Sequence, residues 1–451
     1  MGRVQPLRCF LLPASMKWAS FVLASILVIF LGYFADRTVF SSFIAAWSVL
    51  FLLYGWLVFG YHHISTRQLI LAGIVLRLLL LFSIPQLSDD VFRFLWDGRL
   101  TVSGYHPFLH TPRYFIDNQY NVPGLTQELF VRLNSPDYFT VYPPVCQAVF
   151  ALAALVSPVA VLPAVVVMKL FMLGFEACTI WLLWKHRGKF GLPENGAAIY
   201  ALNPLVILEF SGNLHFEGAM ICFLLAGFIA LQRDRIVPGA LCWSLAAASK
   251  LLPLMLLPAV WKWLGWEKGA RFISFFVLFS VVIFSPLLAV LPNILESLDL
   301  YFRQFQFNAS FYYVIRILGI WLKGWDVGEY SGPALGLLTI TGVLWLALRV
   351  RTGDSAPALA RTLMFSLFLY LSLAAVVQPW YVAVPMVFSL FTRYRFLILW
   401  TGLVVLSYSH YRGGQFQEHY WLIALEYFFV WKQLVNEEYR RVSTLTAQYY
   451  P

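Results

Sequence analysis

Long apolar runs recur along this chain of 451 residues, and they constrain its fold more than any other feature. Stretches of about 20 apolar residues follow one another from Lys17 almost to the C-terminus, and a helix of that length spans the hydrocarbon core of a bilayer. No segment between them is long enough for a separate soluble domain. The sequence therefore predicts an all-α, polytopic membrane protein, with residues 1–451 as a single integral membrane domain of about 11 to 13 transmembrane helices.

Composition and charge agree with this class and exclude others. Hydrophobic residues make up 60% of the chain and charged residues 12%, compared with roughly 25% in soluble proteins. The formal net charge is +10, but Lys and Arg lie in short clusters between apolar runs, as in 185–189 and 393–395. Such clusters are typical of loops that face the cytoplasm and anionic lipid, and they offer no long basic face for nucleic acid. The five cysteines lack metal-ligand spacing, so we interpret them as packing residues.

The first three apolar runs, at about 18–35, 40–61 and 68–85, predict the orientation of the chain. His62, His63 and Arg67 mark the cytoplasmic side between the second and third runs, so the segment that follows the third is expected outside the cytoplasm. Arg77 lies within the third run and is expected to face protein or water. Further along, simple alternation places 185–189 outside the cytoplasm, against the positive-inside rule, and the sequence leaves that parity open.

Two long polar stretches interrupt the apolar pattern, at 86–142 and 293–332. A polar excursion of this length is usually functional or disordered, and the many aromatic residues favour a folded cap at the membrane surface. We interpret 86–142 as the first long extracytoplasmic loop, containing membrane-parallel helices, and 293–332 as a second extracytoplasmic excursion.

The first polar stretch opens with an acidic motif, Ser88-Asp89-Asp90. If Ser88 caps a helix, both aspartates fall in its first turn, and Asp90, Arg93 and Asp97 share one face. A second, mostly apolar face suits the membrane surface and consists of Phe92, Leu95, Trp96 and Arg99. The motif could begin an active site. Alternatively, the aspartates merely cap an interfacial helix and Arg93 neutralises one of them, and the residues alone do not decide between these two interpretations.

Other candidates lie at the ends of apolar runs, where ionisable groups are costly. Lys250 joins two runs and could bind a phosphate, or it could extend to the interface as a structural lysine. Glu209, His215 and Glu217 place two carboxylates and an imidazole at one junction, although a lone histidine is more often structural. The segments 305–316 and 378–381 combine amide groups with aromatic rings, which suits sugars but also interfacial belts and a proline kink. The HExxH, GxxxxGK and GxSxG motifs are absent from the sequence.

Taken together, these stretches resemble the GT-C superfamily of membrane glycosyltransferases, and within it the polyprenol-phosphate-mannose-dependent and GPI-type mannosyltransferase-like branch. The order of the matching pieces carries the resemblance: the acidic motif with Trp96-Asp97-Gly98, then 104–108, Tyr142-Pro143-Pro144, Asn203-Pro204-Leu205, Lys250 before a proline, 308–312 and 378–381. Two positions depart from the pattern. His106 stands where an asparagine is usual, and Glu217 stands where relatives often have aspartate.

The resemblance implies one catalytic aspartate in the first long extracytoplasmic loop, which Asp90 matches best and Asp89 matches as the alternative. This residue would act as general base on the acceptor hydroxyl, while Lys250, Arg93 or Arg316 meets the charge of the lipid phosphate. Residues expected to bind the sugar or acceptor are Asp97, His106, Tyr142, His215, Glu217, Asn308, Tyr312, Trp380 and Tyr381. Neither a metal ion nor a cofactor is expected, apart from a polyprenyl-phosphate-linked sugar as donor substrate.

The expected function is transfer of a mannose-like hexose to a glycan, lipid or protein acceptor, at the extracytoplasmic face of the inner or plasma membrane. A multi-span transporter or lipid flippase is the alternative, because it would share the spans and intramembrane charges. Transporters concentrate polar residues at mid-membrane in paired halves, whereas here the acids and aromatics concentrate in two loops. A non-catalytic subunit with a GT-C-like fold also stays open, because a single sequence cannot show that the acids are maintained.

Overall fold

The computed structural model describes residues 14–60, 64–188, 190–414 and 416–449, and most of these residues are helical. Within these ranges the only extended pairing is a single parallel bridge between Phe307 and Val376. The helices are α1 (Ala14–Ile29), α2 (Phe40–Phe59), α3 (Thr66–Leu79), α4 (Asp90–Val102), α5 (Pro112–Asp117), α6 (Gln127–Phe130), α7 (Pro144–Val156), α8 (Val161–His186), α9 (Gly196–Ala201), α10 (Pro204–Val206), α11 (Glu217–Leu231), α12 (Ile236–Ala247), α13 (Leu257–Leu264), α14 (Trp266–Phe284), α15 (Leu291–Gln304), α16 (Phe311–Lys323), α17 (Gly328–Leu348), α18 (Ala356–Leu373), α19 (Ala383–Ser389), α20 (Phe396–Leu403) and α21 (Tyr420–Tyr449).

Six helices of the described residues are long and apolar enough to cross a membrane. They are Met16–Phe34, Phe40–Phe59, Val161–His186, Trp266–Asp299, Gly328–Leu348 and Ala356–Leu373. Met16–Phe34 extends beyond α1, and Trp266–Asp299 joins α14 to the first part of α15. The pair Pro204–Gly212 and Glu217–Leu231, bent by 113°, adds a seventh if it is counted as one broken span. The all-α, polytopic membrane class is therefore confirmed. Fewer helices are long enough to cross a membrane by themselves than the 11 to 13 spans expected, because several apolar runs form helices of 10–17 residues, such as α7 and α12, which are short for a core of about 30 Å.

The short helix α7 bears on the parity that the sequence left open. With 13 residues it is about 20 Å long, and the chain beyond it stays at the same end of the helix bundle, because Arg99 donates to Gly124 O (2.8 Å) and to Val159 O (2.5 Å). We call this end, which carries residues 86–142, the loop end. The apolar run at 145–162 therefore does not reach the opposite end, and α8 alone takes the chain there.

Positive charges gather at the opposite end of the bundle, which we call the basic end. Arg233 contacts the His186 ring (3.1 Å), and the Arg67 guanidinium lies 5.5 Å from the Trp184 ring centroid. Lys185 and Arg187 consequently share an end with Arg67, as the positive-inside rule requires. His62, His63 and Lys189, which also contributed to the topology prediction, lie outside the described residues.

A buried ion pair joins α3 to α8. Arg77 donates to Glu176 Oε2 from Nη2 (2.9 Å) and from Nε (3.2 Å), and Tyr200 donates to Glu176 Oε1 (2.6 Å). The side chains of Arg77 and Glu176 have no exposed surface, so the prediction that Arg77 faces protein is confirmed. One turn nearer the loop end, Lys169 donates to Leu80 O (2.7 Å) at the C-terminal end of α3, where a cation complements the helix dipole. These contacts hold the C-terminal end of α3 against α8, and residues 86–142 follow this end in the chain.

Helix α4 begins at Asp90, one residue later than expected, with Asp89 as its N-cap residue. As the N-cap residue, Asp89 does not lie in the first turn of the helix. The Ser88 hydroxyl accepts from Asp90 N (3.3 Å). Val91 through Leu100 are all buried, and Phe94 stacks on Phe150 of α7 with ring centroids 4.5 Å apart. A Cβ atom at Gly98 would lie 2.3 Å from Phe150 O, so only glycine permits this close packing.

The apolar face of α4 is covered by protein, so the expectation that it faces the membrane surface is wrong. Phe92, Leu95, Trp96 and Arg99 are all buried. Later residues of the same polar stretch supply the cover: Phe130 lies 6.1 Å from Trp96, and the Arg132 guanidinium lies 5.2 Å from the Phe92 ring centroid. The sequence pattern identified the apolar face correctly, but α6 and the turn after it cover this face instead of lipid.

The second polar stretch, 293–332, is largely helical and comprises most of α15, all of α16 and the start of α17. Helix α16 ends at Gly324, whose φ of +78° is the left-handed conformation typical of a glycine after a helix. Phe307 N donates to Ala375 O (3.0 Å) and Val377 N donates to Phe307 O (2.8 Å), so the stretch is attached to the end of α18. The placement of both polar stretches outside the cytoplasm stays a prediction.

Candidate active site

Asp89 and Asp90 face different partners. Asp89 pairs with Arg37, which comes from the turn between the first two spans, donates to Leu87 O (3.3 Å) and lies 4.6 Å from the Tyr411 ring centroid. Asp90 Oδ1 accepts from the Asn134 side chain (2.7 Å), and the Asp90 side chain keeps 20% of its surface exposed. Asp89 is therefore neutralised by an arginine, whereas the neighbours of Asp90 are Asn134, the Tyr142 side chain and, at 4.0 Å from Oδ2, the His215 imidazole.

The break in the bent helix pair lies beside Asp90. Between Pro204–Gly212 and Glu217–Leu231 the chain turns through Leu214, whose φ of +64° is left-handed, and Asn213 Oδ1 accepts from Leu87 N (3.3 Å). This contact docks the break against the start of α4. It brings His215 Nδ1 to 4.0 Å from Asp90 Oδ2.

The His215 imidazole is held on both sides. Its ring stacks on Trp380, with ring centroids 3.4 Å apart and planes 12° from parallel. Its Nε2 lies 3.3 Å from Glu209 Oε2, and the other oxygen of Glu209 accepts from the Tyr408 hydroxyl (2.7 Å). His215, Glu209 and Tyr408 are each no more than 2% exposed. The imidazole is therefore a fixed polar wall beside the exposed Asp90 carboxylate.

Lys250 lies beside Tyr142, whose side chain is hydrogen-bonded to Asp90. Its Nζ is 3.2 Å from Glu217 Oε1 and 5.5 Å from the Tyr142 ring centroid. Burial, followed by the negative charge of Asp90, raises the pKa of the Tyr142 hydroxyl well above its usual range, so this phenol stays protonated. Val145 N donates to Ala248 O (2.9 Å), which holds the chain before Lys250 against α7. The group thus places a cation with 26% of its side chain exposed near the candidate base.

Arg93 and Asp97 form an internal clamp and are not directed at a substrate. Arg93 Nε donates to Asp97 Oδ1 (2.8 Å), and its Nη1 donates to Ser135 O (3.0 Å) and Tyr138 O (2.9 Å). Asp97 Oδ2 accepts from Gln147 (2.9 Å), and neither Arg93 nor Asp97 is more than 2% exposed. Their predicted roles in binding phosphate and sugar do not fit this burial, since both are used to fasten the polar stretch to α4.

The site residues expected in the second polar stretch form a separate cluster. Asn308 is fully buried and donates to Glu426, and the Tyr312 hydroxyl accepts from Gln306 (2.9 Å). Arg316 pairs with Asp326 (2.6 Å) and donates to Gln306 (2.8 Å). Asn308 Nδ2, the Tyr312 hydroxyl and the Arg316 guanidinium therefore have protein partners, and no direct contact within the described residues joins this cluster to Asp90.

Two other predicted residues have partners other than Asp90. His106 Nε2 lies 3.1 Å from Pro286 O, and Phe108 N donates to His106 Nδ1 (3.3 Å), so the imidazole ties the loop to the end of α14. Tyr381 packs edge-on against Trp380 at 6.0 Å. Within the described ranges no three His, Cys, Asp or Glu side chains are grouped to hold a metal ion, and metal-free chemistry stays a prediction.

Sequence reasoning missed three residues that shape this site. Arg37 could have been found, because it lies in a turn predicted to share the membrane face of Asp89. Asn134 has no signal of this kind, since it reaches Asp90 from a turn 44 positions later. Tyr408, the partner of Glu209, lies 199 positions beyond it, in an apolar segment where a tyrosine is unremarkable.

Comparisons with known proteins bear on this geometry. Residues 10–265 match the family model described as "Alpha-(1->6)-mannopyranosyltransferase, N-terminal domain". The Alpha-(1->6)-mannopyranosyltransferase A of Mycobacterium tuberculosis is 28% identical over 275 residues, which are 58% of this chain and 51% of that protein. The protein of the same name from Corynebacterium glutamicum is 25% identical over 196 residues, or 43% of this chain and 38% of that protein. The aligned parts thus cover about half or less of these curated relatives.

The matched range contains Asp90, Tyr142, His215, Glu217 and Lys250, whereas Trp380 lies beyond it. The predicted resemblance to mannosyltransferases of the GT-C superfamily is confirmed by these comparisons. Because the family model spans more than half of the chain, this protein belongs to the alpha-(1->6)-mannopyranosyltransferase family.

Proposed function

We propose that this protein transfers a mannosyl residue from a polyprenyl-phosphate donor to a hydroxyl group of a glycan acceptor, with Asp90 as the general base. The names of its relatives specify the sugar and an α-(1→6) bond, so the proposed nucleophile is a primary hydroxyl. The observation that carries the proposal is the position of Asp90, a partly exposed carboxylate that lies 4.0 Å from His215 and is hydrogen-bonded to Tyr142, the ring that Lys250 contacts.

The geometry supports a direct displacement. Asn134 holds Asp90 Oδ1, so Oδ2 is the oxygen available to the acceptor. As the acceptor oxygen attacks the anomeric carbon, its proton passes to Oδ2, the bond from that carbon to the phosphate oxygen breaks, and the electron pair stays on the phosphate. His215 and Trp380 form one rigid wall of the space in which the two sugars meet, because their stacked rings are both buried.

The departing phosphate requires a cation, and Lys250 is the best placed of the three predicted ones. Arg93 is buried in its clamp, and Arg316 is paired with Asp326 outside the Asp90 group. Lys250 shares Tyr142 with Asp90, and its ammonium can bind a phosphate as a point charge. Glu217 keeps the ammonium in place in the absence of donor.

Replacing Lys250 by alanine is expected to raise the KM for the donor on the order of 10-fold, more than it lowers kcat, because a charge-assisted contact in the ground state is lost. Initial rates at varied polyprenyl-phosphate mannose would measure this effect. Arg316→Ala is the matched control and should leave the donor KM unchanged. Unaltered donor dependence in Lys250→Ala, or the larger effect in Arg316→Ala, would show that the phosphate is bound elsewhere.

We also propose that the loop end faces away from the cytoplasm, because the basic end carries Arg67, Lys185, Arg187 and Arg233. Glu128 on α6 and Glu194 before α9 suit a labelling test, since both are exposed and their acidic side chains can be exchanged alike for cysteine. Gly124 is unsuitable, because a Cβ there would lie 2.4 Å from Pro158 O.

In a background without native cysteines, a membrane-impermeant maleimide applied to intact cells is expected to label Glu128→Cys and not Glu194→Cys. Opening the membrane should make Glu194→Cys reactive, which checks that this position is accessible. Labelling of Glu194→Cys alone in intact cells would reverse the orientation and place the candidate site on the cytoplasmic face.

One observation favours a transporter as the second candidate function. A span broken by 113°, with polar residues in the break, is typical of transporter substrate sites. Proteoliposomes loaded with a labelled polyprenyl-phosphate sugar distinguish the two functions. A transferase yields a labelled glycan in a manner that depends on Asp90, whereas a flippase moves the intact donor to the other leaflet without an acceptor.

A further inference from the structure

We infer that an exposed aromatic surface at the far end of α4 binds sugar units of the acceptor glycan that lie beyond the unit being mannosylated. This surface, which we call the aromatic platform, consists of Tyr105, His110, Tyr114 and Tyr120 around the buried ring of Phe115. The inference rests on the proposed function and extends it, because it makes an oligosaccharide chain, and not a single sugar, the preferred acceptor.

The position of the platform follows from the way α4 ends. Gly104 has φ +85°, Tyr105 N donates to Leu100 O (2.9 Å), and Gly104 N donates to Thr101 O (3.2 Å). These two bonds form the glycine-dependent helix end known as a Schellman motif. The helix has 13 residues, so it places Tyr105 about 20 Å from Asp90 on a single rigid element.

The rings support one another and remain partly open. Tyr105 packs edge-on against Phe115 (5.7 Å) and Tyr120 (5.6 Å), and the hydroxyl groups of Tyr114 and Tyr120 are 3.4 Å apart. His110 stacks on Tyr114 at 3.9 Å. Phe115 is 2% exposed, whereas Tyr105 is 38% and Tyr120 is 36% exposed. Edge-on packing around one buried ring leaves aromatic faces accessible at the surface.

Polar side chains surround the rings. Exposed carboxylate and amide groups follow α5 directly, from Asp117, Asn118, Gln119 and Asn121. Sugars offer C–H surfaces that pack on aromatic faces, and hydroxyl groups that bond to carboxylates and amides at the edge. By contrast, most of the exposed side chains of α16 are aliphatic, namely Val314, Ile315, Ile317, Leu318, Ile320 and Leu322 beside Phe311 and Trp321, as expected for contact with lipid. The chemistry of the platform therefore fits a glycan better than a bilayer.

A second route connects the platform to the candidate base. Asn134 holds Asp90, and three residues later Asp137 pairs with Arg113, at the start of α5. Arg113 N also donates to Pro136 O (3.0 Å). The hydrogen bond from Arg113 lowers the pKa of Asp137, so this link is an ion pair at neutral pH. The platform is thus attached to the site by both α4 and residues 134–137, which fixes its distance from Asp90.

The test compares a short and a long acceptor with the full-length protein in lipid nanodiscs. We expect Tyr105→Ala and Tyr120→Ala to raise the KM for an α-(1→6)-linked mannose hexasaccharide on the order of 10-fold, with the KM for the disaccharide and both kcat values unchanged. Tyr120→Phe keeps the ring and should retain the wild-type values. Tyr330→Ala removes a 68% exposed tyrosine outside the platform and serves as the matched control.

Equal changes for both acceptors, no change for either, or the same effect in Tyr330→Ala would overturn the inference while leaving the proposed function intact. If wild-type protein transfers mannose to neither acceptor, the proposed function fails. The platform is then tested separately, by measuring binding of the hexasaccharide in the absence of donor with saturation-transfer NMR. Weaker binding in the alanine variants then supports it, and equal or absent binding rejects it. Should Tyr105→Ala not fold, because Tyr105 packs on Phe115, Tyr120→Ala decides alone.

Discussion

Replacing Asp90 by asparagine is expected to lower mannosyl transfer on the order of 100-fold or more, because an amide cannot accept the acceptor proton. The amide has nearly the shape of the carboxylate, and its oxygen can still accept from Asn134, so packing at the start of α4 is preserved. Expression, membrane insertion and donor binding should therefore match those of wild type. The rate of label transfer from polyprenyl-phosphate mannose, at equal amounts of folded protein, measures the effect.

Asp89→Asn is the matched control, since it makes the same chemical change one residue earlier. Asp89 is paired with Arg37, so it is expected to affect transfer less than Asp90 does. If Asp90→Asn fails to accumulate as folded protein, Asp90 stabilises the N-terminal end of α4 and is not the general base. If both amide variants keep full transfer, the base lies outside this motif.

The membrane class and several members of the candidate site could be predicted from the sequence. Charged residues within or at the ends of apolar runs are costly, so Asp90, Glu217 and Lys250 are conspicuous from their positions in the chain. Their assembly into one group was implied by the order of motifs shared with a known family. Spacing alone does not show that the junction at His215 meets the start of α4.

The expectations that failed depended on tertiary contacts. The amphipathic pattern of α4 predicted an apolar face but not its partner, and protein took the place expected for lipid. Asp97 and Asn308 were predicted to bind substrate because residue type alone does not show whether a polar side chain is buried. The pair of Asp97 with Arg93 is local, at i and i+4 on α4, whereas the partner of Asn308 lies 118 positions away, at Glu426, and could not be found from spacing.

Fewer apolar runs than expected form helices long enough to cross a membrane, and the reason is related. Hydropathy measures the composition of a run, whereas crossing depends on helix length and on where the chain goes afterwards. The run that contains α7 has the composition of a span. Its C-terminal end nevertheless stays at the loop end, because Arg99 donates to Val159 O. If this run is not counted as a crossing, alternation of the remaining spans places Lys185 and Arg187 on the cytoplasmic side, in agreement with the positive-inside rule.

Arg77→Met is expected to be the most destabilising substitution outside the candidate site, with a loss on the order of 3–5 kcal/mol in the free energy of unfolding. It would leave the Glu176 carboxylate buried with Tyr200 as its remaining side-chain donor. Thermal or denaturant unfolding of purified protein in one fixed detergent measures the change. Arg113→Met is the matched control, because its pair with Asp137 is about half exposed and is screened by solvent, so its loss is expected to change the stability little.

The double variant Arg77→Met/Glu176→Leu separates the ion pair from the space it fills. Removing both charges also removes the penalty of burying one alone, so the double variant should be more stable than Arg77→Met, although Tyr200 then loses its acceptor. A double variant as unstable as Arg77→Met would show that packing between α3 and α8, and not charge, holds this junction. A loss in Arg77→Met no larger than in Arg113→Met would mean that water reaches Glu176 from within the bundle.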